Sequence, residues 1–300
     1  MSLSFSDYLD AKFPLDERSL NPDVRAVFQA ALCSRVSAQL LDLGCGLGAS
    51  LRRLLAAGLL GNLDITAVDQ DAGLLAKARA RAEHELGMAE FEVDPASEPL
   101  SAQRNRQTLT LALAEADVMT FAPDAPGTYD AVIAHALMDL LPAPQMAARI
   151  HDWLGPAGLF YASLNYDGGT TLFPLFPDAA FEAGLLAHYD RSMIRHPHGH
   201  VSNGAHAGRQ LHAALLEAGF EVLAYGSSDW NITPFCGAYR DADDLCLRAL
   251  LEMMHGEAQR SGDFDPAALA HWLAYRQAQI DTRELGLIIH QLDLLAQKPA

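Results

Sequence analysis

Residues 40–50 read LLDLGCGLGAS, an apolar run followed at once by Gly44, Gly46 and Gly48. Glycine weakens the interior of a strand or helix, so three of them behind a strand-like run mark a turn whose backbone something approaches closely. The next segment, SLRRLLAAGL, reads as a helix. Strand, glycine turn and helix in that order are the start of a βαβ unit.

The alternation continues along the chain. Before the turn, DVRAVFQAALC places Val24, Val27, Phe28 and Ala31 on one helix face. After it come a strand at LDITAVD (63–69), a helix at AGLLAKARARAEHELG, and strands at TLTLALAEAD (108–117) and YDAVIAHAL (129–137). PAPQMAARIHDWLG is a helix and GLFYASLN (158–165) a fifth strand. Residues 91–107 are irregular, with two short β segments compatible with a hairpin insertion. The pattern breaks over 166–205, resumes as helix and strand in GRQLHAALLEAGFEVLAYG (208–226), gives two helices near 241–255 and 266–282, and closes on a strand in ELGLIIHQLDLLAQ. Asp265 is the N-cap expected before Pro266. Strands and helices at this spacing predict right-handed crossovers and a doubly wound, mostly parallel α/β sheet.

Half of the 300 residues are hydrophobic and a fifth are charged, enough for a sizeable core. The net charge of -17 and the scarcity of lysine (Lys12, Lys77, Lys298) argue against nucleic acid or an anionic membrane as partner. Cys33, Cys45, Cys236 and Cys246 show no CxxC spacing and read as reduced thiols. The start, MSLSFSDYLDAKF, lacks the apolar core of a signal peptide. The most apolar region, 54–68, is interrupted by Gly58, Gly61, Asn62 and Asp64 and is too short to span a bilayer. A soluble, cytoplasmic protein is expected.

In an open α/β sheet, ligands sit at the carboxyl ends of the strands beside the first βα turn. The second strand ends in Asp69, a carboxylate suited to ribose hydroxyls, so the turn and the acid together point to a nucleoside-containing ligand. The glycine spacing is G-x-G-x-G rather than the G-x-G-x-x-G of a dinucleotide site, which disfavours an NAD-dependent dehydrogenase. The Gly-Lys-Ser/Thr ending of a P-loop is missing.

LLDLGCGLG resembles the first motif of the class I S-adenosylmethionine-dependent methyltransferases. ITAVDQD, AEADVMTF, YDAVIAHALMDLLPAP and LGPAGLFYASL are similar to the motifs that follow it there, and together they cover about residues 40–165 in order and spacing. The sequence departs from that pattern at Ala136, where a small polar residue is common, and in the extra residues at 91–107 and after 165. The resemblance implies a seven-stranded Rossmann-like sheet and S-adenosyl-L-methionine as cofactor. It assigns Gly44, Cys45 and Gly46 to the methionyl part, Asp69 and Gln70 to the ribose, and Asp117 and Val118 to the adenine. His135, at the carboxyl end of the fourth strand, is a candidate toward both cofactor and acceptor; a structural histidine is the competing reading. Arg18, in LDERSLN, is a candidate for the methionyl carboxylate because an N-terminal segment commonly caps the site; the competing reading is a solvated surface arginine.

Methyl transfer is an in-line displacement in which positioning and water exclusion do most of the work, with a base only if the acceptor has a proton to lose. Catalytic candidates are His135, Asp229 in GSSDWNI and Tyr189 in HYDRSM. Ser227, Ser228, Trp230, Asn165, Tyr166, Asp167 and Arg191 carry weaker claims, and packing or loop capping competes for each. His196, His198 and His200 in RHPHGH invite a metal, but no fourth ligand flanks them, and a solvated loop without metal is expected.

The expected layout is an N-terminal helical cap (1–39), a cofactor-binding core (40–165), a lid insertion (166–207), core again (208–232), a helical insertion (233–283) and the final core strand (284–300). The two insertions are expected to form a mobile lid over the acceptor; the competing view is permanent packing that closes a buried core or a homodimer interface. The function expected is methyl transfer from S-adenosylmethionine to a small-molecule acceptor. The alternative is a non-catalytic sensor or scaffold that binds S-adenosylmethionine or S-adenosylhomocysteine.

Overall fold

In β1 (Ser37–Leu43), Leu40 and Leu41 point to opposite faces and both are fully buried, which is what a strand covered on two sides requires. A computed structural model, which describes residues 4–58 and 61–300, places this strand near the middle of one mixed sheet. β1 pairs in parallel with β2 (Asn62–Asp69) and with β6 (Tyr129–His135). β2 pairs in parallel with β5 (Gln107–Glu115), and β6 with β7 (Leu154–Phe173). The antiparallel strand β10 (Gly286–Gln297) joins β7 to β8 (Glu221–Ser227).

Those are the seven expected strands, and three more extend the sheet to ten. β3 (Glu92–Asp94) and β4 (Leu100–Arg104) form the antiparallel hairpin compatible with residues 91–107 and add to the β5 edge; β9 (Trp230–Ile232) pairs with β10. The order β3-β4-β5-β2-β1-β6-β7-β10-β8 reverses direction at β1, so the carboxyl ends of β1 and β6 open a crevice.

Helices cover both faces. α2 (Pro22–Cys33), α3 (Ala49–Ala56) and α4 (Ala72–Met88) bury Phe28, Leu54 and Leu86 with Leu40 and Ile65. The last residue expected in the α3 helix, Leu59, lies outside the described residues. On the other face α5 (Ala143–Trp153) and α7 (Ala207–Glu217) bury Ile150, Leu211 and Leu215 with Leu41, Val132 and Phe160.

A third core lies beyond the expected end of the fifth strand. β7 does not stop at residue 165; it runs to Phe173 because Tyr166–Phe173 pair with β10 from Gln291 back to Gly286. Gly168 and Gly169 take φ of 74° and 88° where the register with β10 shifts between Ile289 and Gln291. Onto this extension pack α1 (Phe5–Ser19), α6 (Ala179–Ser192), α8 (Asp243–Ser261) and α9 (Pro266–Asp281), burying Leu15, Leu185, Leu251 and Trp272 around Tyr166 and Leu287. Asp265 caps α9 as expected, its Oδ2 accepting from Ala268 N at 2.8 Å.

At the centre of that core the buried Arg276 donates to both carboxylate oxygens of Glu182, at 2.8 and 2.5 Å. Trp272 Nε1 donates to the same Glu182 at 2.7 Å, while Pro174 O and Gln279 Oε1 accept from Arg276 Nη1. Helices from both insertions therefore share one hydrogen-bonded polar cluster. They are built into the fold rather than hung over it. No helix among the described residues is long and apolar enough to cross a membrane.

Candidate active site

The glycine turn follows Leu43 at the crevice. Gly44 and Gly46 take φ of 61° and 53°, a conformation costly for any residue with a Cβ. A Cβ on Gly44 would stand 2.8 Å from Leu137 Cδ1, so a side chain there would have to push Leu137 aside. Cys45 N donates to Val68 O at 3.0 Å and Gly46 N to Asp69 Oδ2 at 2.8 Å, which ties the loop to the end of β2. Behind the loop, Ser50 Oγ donates to Asp42 Oδ1 at 2.8 Å, and burial pushes the Asp42 carboxyl up to about 7.

Two more carboxylates complete the rim. Asp69 Oδ1 accepts from Asp71 N at 3.0 Å, and Asp71 caps α4 through Gly73 N and Leu74 N. With one backbone donor on each oxygen, Asp69 keeps lone pairs free toward the crevice. Asp117 Oδ1 accepts from Met119 N at 2.7 Å, and its Oδ2 lies 2.9 Å from His198 Nε2. The His198 hydrogen bond holds the Asp117 carboxyl below its usual range.

His135 ends β6 and bonds Ser163 Oγ of β7 through Nδ1. Burial, with the positive charges of Arg53 and Lys12 nearby, holds its imidazole well below the ordinary value, so it is neutral at pH 7.

These groups face one cleft of about 520 Å³, of the size that takes a cofactor-sized ligand. Its walls come from the glycine turn, Asp69, Gln70, Leu74, Asp117, Val118, His135 and Leu137, and α1 covers it with Phe5, Leu9 and Lys12. A smaller cavity of about 100 Å³ adjoins it beneath the glycine turn, lined by Cys45, Asp42, Arg53, Lys12 and His135.

Residues 41–160 match the family model of a methyltransferase domain, the span that holds the glycine turn, Asp69, Asp117 and His135. This core is a class I methyltransferase domain. S-adenosylmethionine is the cofactor of that class. Among solved structures, the chain is similar to a protein of Bacillus halodurans C-125 provisionally named a methyltransferase, with TM-score 0.54 and 15% identity over 93% of this chain and 100% of that one. At this identity the likeness shows the fold. Weaker likenesses, which carry no argument, include a sarcosine dimethylglycine methyltransferase, also provisionally named, from Galdieria sulphuraria, with TM-score 0.49 and 14% identity over 100% of this chain and 92% of that one. A further one is a methyltransferase of Geobacter sulfurreducens bound to S-adenosylhomocysteine, with TM-score 0.43 and 15% identity over 91% of each chain. No curated protein matches the sequence.

The residues of the methyltransferase domain fit the cofactor. The side-chain-free turn lets a ligand lie against backbone at Gly44 and Gly46, Asp69 offers two acceptor oxygens for a ribose diol, and Asp117 offers an acceptor for an exocyclic amine beside the apolar Leu74, Val118 and Met119.

The structure brings most of the sequence candidates together. Gly44, Gly46, Asp69, Gln70, Asp117, Val118 and His135 line the large cleft, and Cys45 the smaller one. Three candidates are elsewhere. Arg18 does not line the cleft: it holds Asp243 at the start of α8, 2.6 Å from each carboxylate oxygen. Lys12 of the same helix lines the cleft in its place. The signal was helical spacing, since Phe5, Leu9 and Lys12 share one face of α1 and Arg18 lies on nearly the opposite one. Asp229 is held at the irregularity within β10, accepting from His290 Nδ1 at 2.8 Å and Gln291 N at 3.2 Å, and it does not line the cleft. Tyr189 stands outside the cleft wall, within electrostatic reach of Asp139.

The three histidines do not converge. His198 turns onto Asp117, and among the described residues no group of three or more His, Cys, Asp or Glu side chains is arranged to hold a metal ion.

Proposed function

We propose that this protein transfers the methyl group of S-adenosylmethionine to a small-molecule acceptor seated between the carboxyl end of β6 and helix α1. The observation that carries the reading is the continuity of the cleft: Asp117, Asp69, the glycine turn and His135 line one cavity, in the order adenine, ribose, methionyl chain and methyl group would occupy. Lys12, which lines the cleft, takes the role first considered for Arg18; a ligand carboxylate there would share its ammonium with Asp16. The bound cofactor supplies an electrophilic methyl on a sulfonium.

The chain supplies binding, orientation and exclusion of water. The neutral His135 adds no cation to repel the sulfonium, and its ring is fixed by Ser163. Phe5, Leu9, Leu137 and Leu140 supply apolar cover at the methyl end. A cleft roofed by a helix suits a small acceptor better than a polymer, and the net charge of -17 disfavours nucleic acid.

Calorimetry tests the reading. S-adenosylhomocysteine should bind with a micromolar dissociation constant, on the order of −8 kcal/mol, and NAD should not. Binding of NAD alone would overturn the assignment. Tight S-adenosylhomocysteine binding with no methylated product across acceptor panels would favour a sensor or scaffold.

A further inference from the structure

His135 bonds the hydroxyl of Ser163 through Nδ1. Ser163 is fully buried, and among the described residues its Oγ has no other hydrogen-bond partner. A hydroxyl that only accepted would bury its own proton with no acceptor, which is costly. Ser163 therefore donates to Nδ1, and the neutral ring carries its proton on Nε2. Among the described residues Nε2 makes no hydrogen bond, and His135 lines both the large cleft and the smaller cavity beneath the glycine turn. The end of the cleft proposed for the methyl group thus holds an N–H donor and not a base.

Arg53 of α3 lines the smaller cavity together with His135. Its side chain is only 9% exposed and its Nε donates to Glu17 Oε1 at 2.5 Å, yet its Nη1 is buried with no hydrogen-bond partner. The other cations lining that cavity are matched, Lys12 by Asp16, Arg52 by Glu85 and Arg81 by Asp10. Asp42 accepts from Ser50, and burial pushes its carboxyl up to about 7, which weakens its repulsion of an anion. Two donors left open in one cavity, one of them cationic, suit a carboxylate.

The acids lining the large cleft, Asp69, Asp71 and Asp117, stand at the ends of β2 and β5, so none of them serves the methyl end as a base. An acceptor that has already lost its proton at pH 7 needs no base.

We propose that the acceptor is a carboxylic acid, bound as its carboxylate by His135 Nε2–H and Arg53 Nη1–H. The inference rests on the S-adenosylmethionine reading above, in which Lys12 serves the cofactor's own carboxylate. One acceptor oxygen attacks the methyl group: an O–CH3 bond forms, the S–CH3 bond pair returns to sulfur, and a methyl ester and a thioether result. The charges of carboxylate and sulfonium cancel as the bond forms, and no proton moves. The second acceptor oxygen takes the two donors.

The test is calorimetric titration of benzoate and hexanoate, with benzamide, benzyl alcohol and hexylamine as controls, into protein saturated with S-adenosylhomocysteine. At least one carboxylate should bind and the controls should not. Arg53→Gln should weaken that carboxylate roughly tenfold or more, the loss of one charge-assisted hydrogen bond, and leave S-adenosylhomocysteine affinity unchanged. Heteronuclear NMR of the histidine rings, with His135→Gln to assign the signal, should show His135 protonated at Nε2. A proton on Nδ1, no binding by either carboxylate, or unchanged carboxylate affinity in Arg53→Gln overturns the proposal and leaves the cofactor reading intact. If Arg53→Gln instead weakens S-adenosylhomocysteine but not methylthioadenosine, which lacks the amino-acid tail, the carboxylate is the cofactor's own and the acceptor assignment falls. Failure of S-adenosylhomocysteine itself to bind overturns both.

Discussion

His198 Nε2 lies 2.9 Å from Asp117 Oδ2, so the segment between α6 and α7 rests on the carboxylate suited to an adenine amino group. The arch that carries His198 is closed at its base by Ser202 N donating to Arg195 O at 2.9 Å and Arg195 N to Ser202 Oγ at 2.8 Å. Asn203 then fastens it, accepting from Ala143 N at 2.9 Å and donating to Met138 O at 2.8 Å. Pro197, beside His198, lines the cleft. Ligand and histidine would compete for one oxygen.

His198→Ala should therefore tighten S-adenosylhomocysteine binding. Both side chains are about half exposed, 48% for His198 and 43% for Asp117. Such a pair is worth at most about 1 kcal/mol, so the gain is bounded near fivefold. Calorimetry on the two proteins decides the sign, and weaker binding in the variant would mean His198 holds the ligand.

Asp69→Ala should weaken cofactor binding by roughly 1.5–3 kcal/mol, the cost of a lost charge-assisted hydrogen bond. The variant also frees Gly46 N, which Asp69 now holds at 2.8 Å. Gly46→Val should do worse, because its left-handed φ of 53° strains a branched residue and a side chain there would stand where the ligand lies against the backbone. Affinities unchanged in both would move the pocket elsewhere.

Arg276→Ala removes the cation from a buried carboxylate and should cost about 3–5 kcal/mol of stability, read from urea unfolding. A loss under 1 kcal/mol would mean that α6 and α9 are not locked together. For the same reason, limited proteolysis should cut within the arch 195–203 and spare α6 and α9. Cleavage spread through α6 would restore the picture of a wholly mobile lid.

Asp139→Asn should stabilise the protein at pH 8. Burial raises the Asp139 carboxyl from its ordinary value to about 7, so between those values the native state holds a proton that the unfolded chain has released. The group's stabilising contribution is complete below the ordinary carboxylate range and is lost as pH rises to about 7. The variant lacks this loss, so its advantage should grow from pH 4 to 7 and then level off, at a few kcal/mol in order of magnitude. An advantage independent of pH would contradict the burial argument.

Where the lining of the cleft follows from strand ends, the sequence was readable. Asp69 and Asp117 sit where a parallel strand stops, and the glycine turn needs three small residues in fixed places. Where the lining depends on the facing element, it was not. Arg18 and Lys12 share a helix, and only the packing of α1 against the cleft shows which face is inside. Gly168 and Gly169 read as a loop because a strand interrupted by an irregularity has the same local composition. Asp229 lies at the correct edge of the sheet, yet antiparallel β10 supplies His290 to capture it.

A crystal structure of the protein grown with S-adenosylhomocysteine tests the central claim most directly. The ribose hydroxyls should lie within hydrogen-bond distance of Asp69, the adenine amino group at Asp117 with His198 displaced, and the sulfur near His135 and Leu137. Density for the ligand anywhere other than the cleft between the glycine turn and α1, or an empty cleft at saturating ligand, would contradict it.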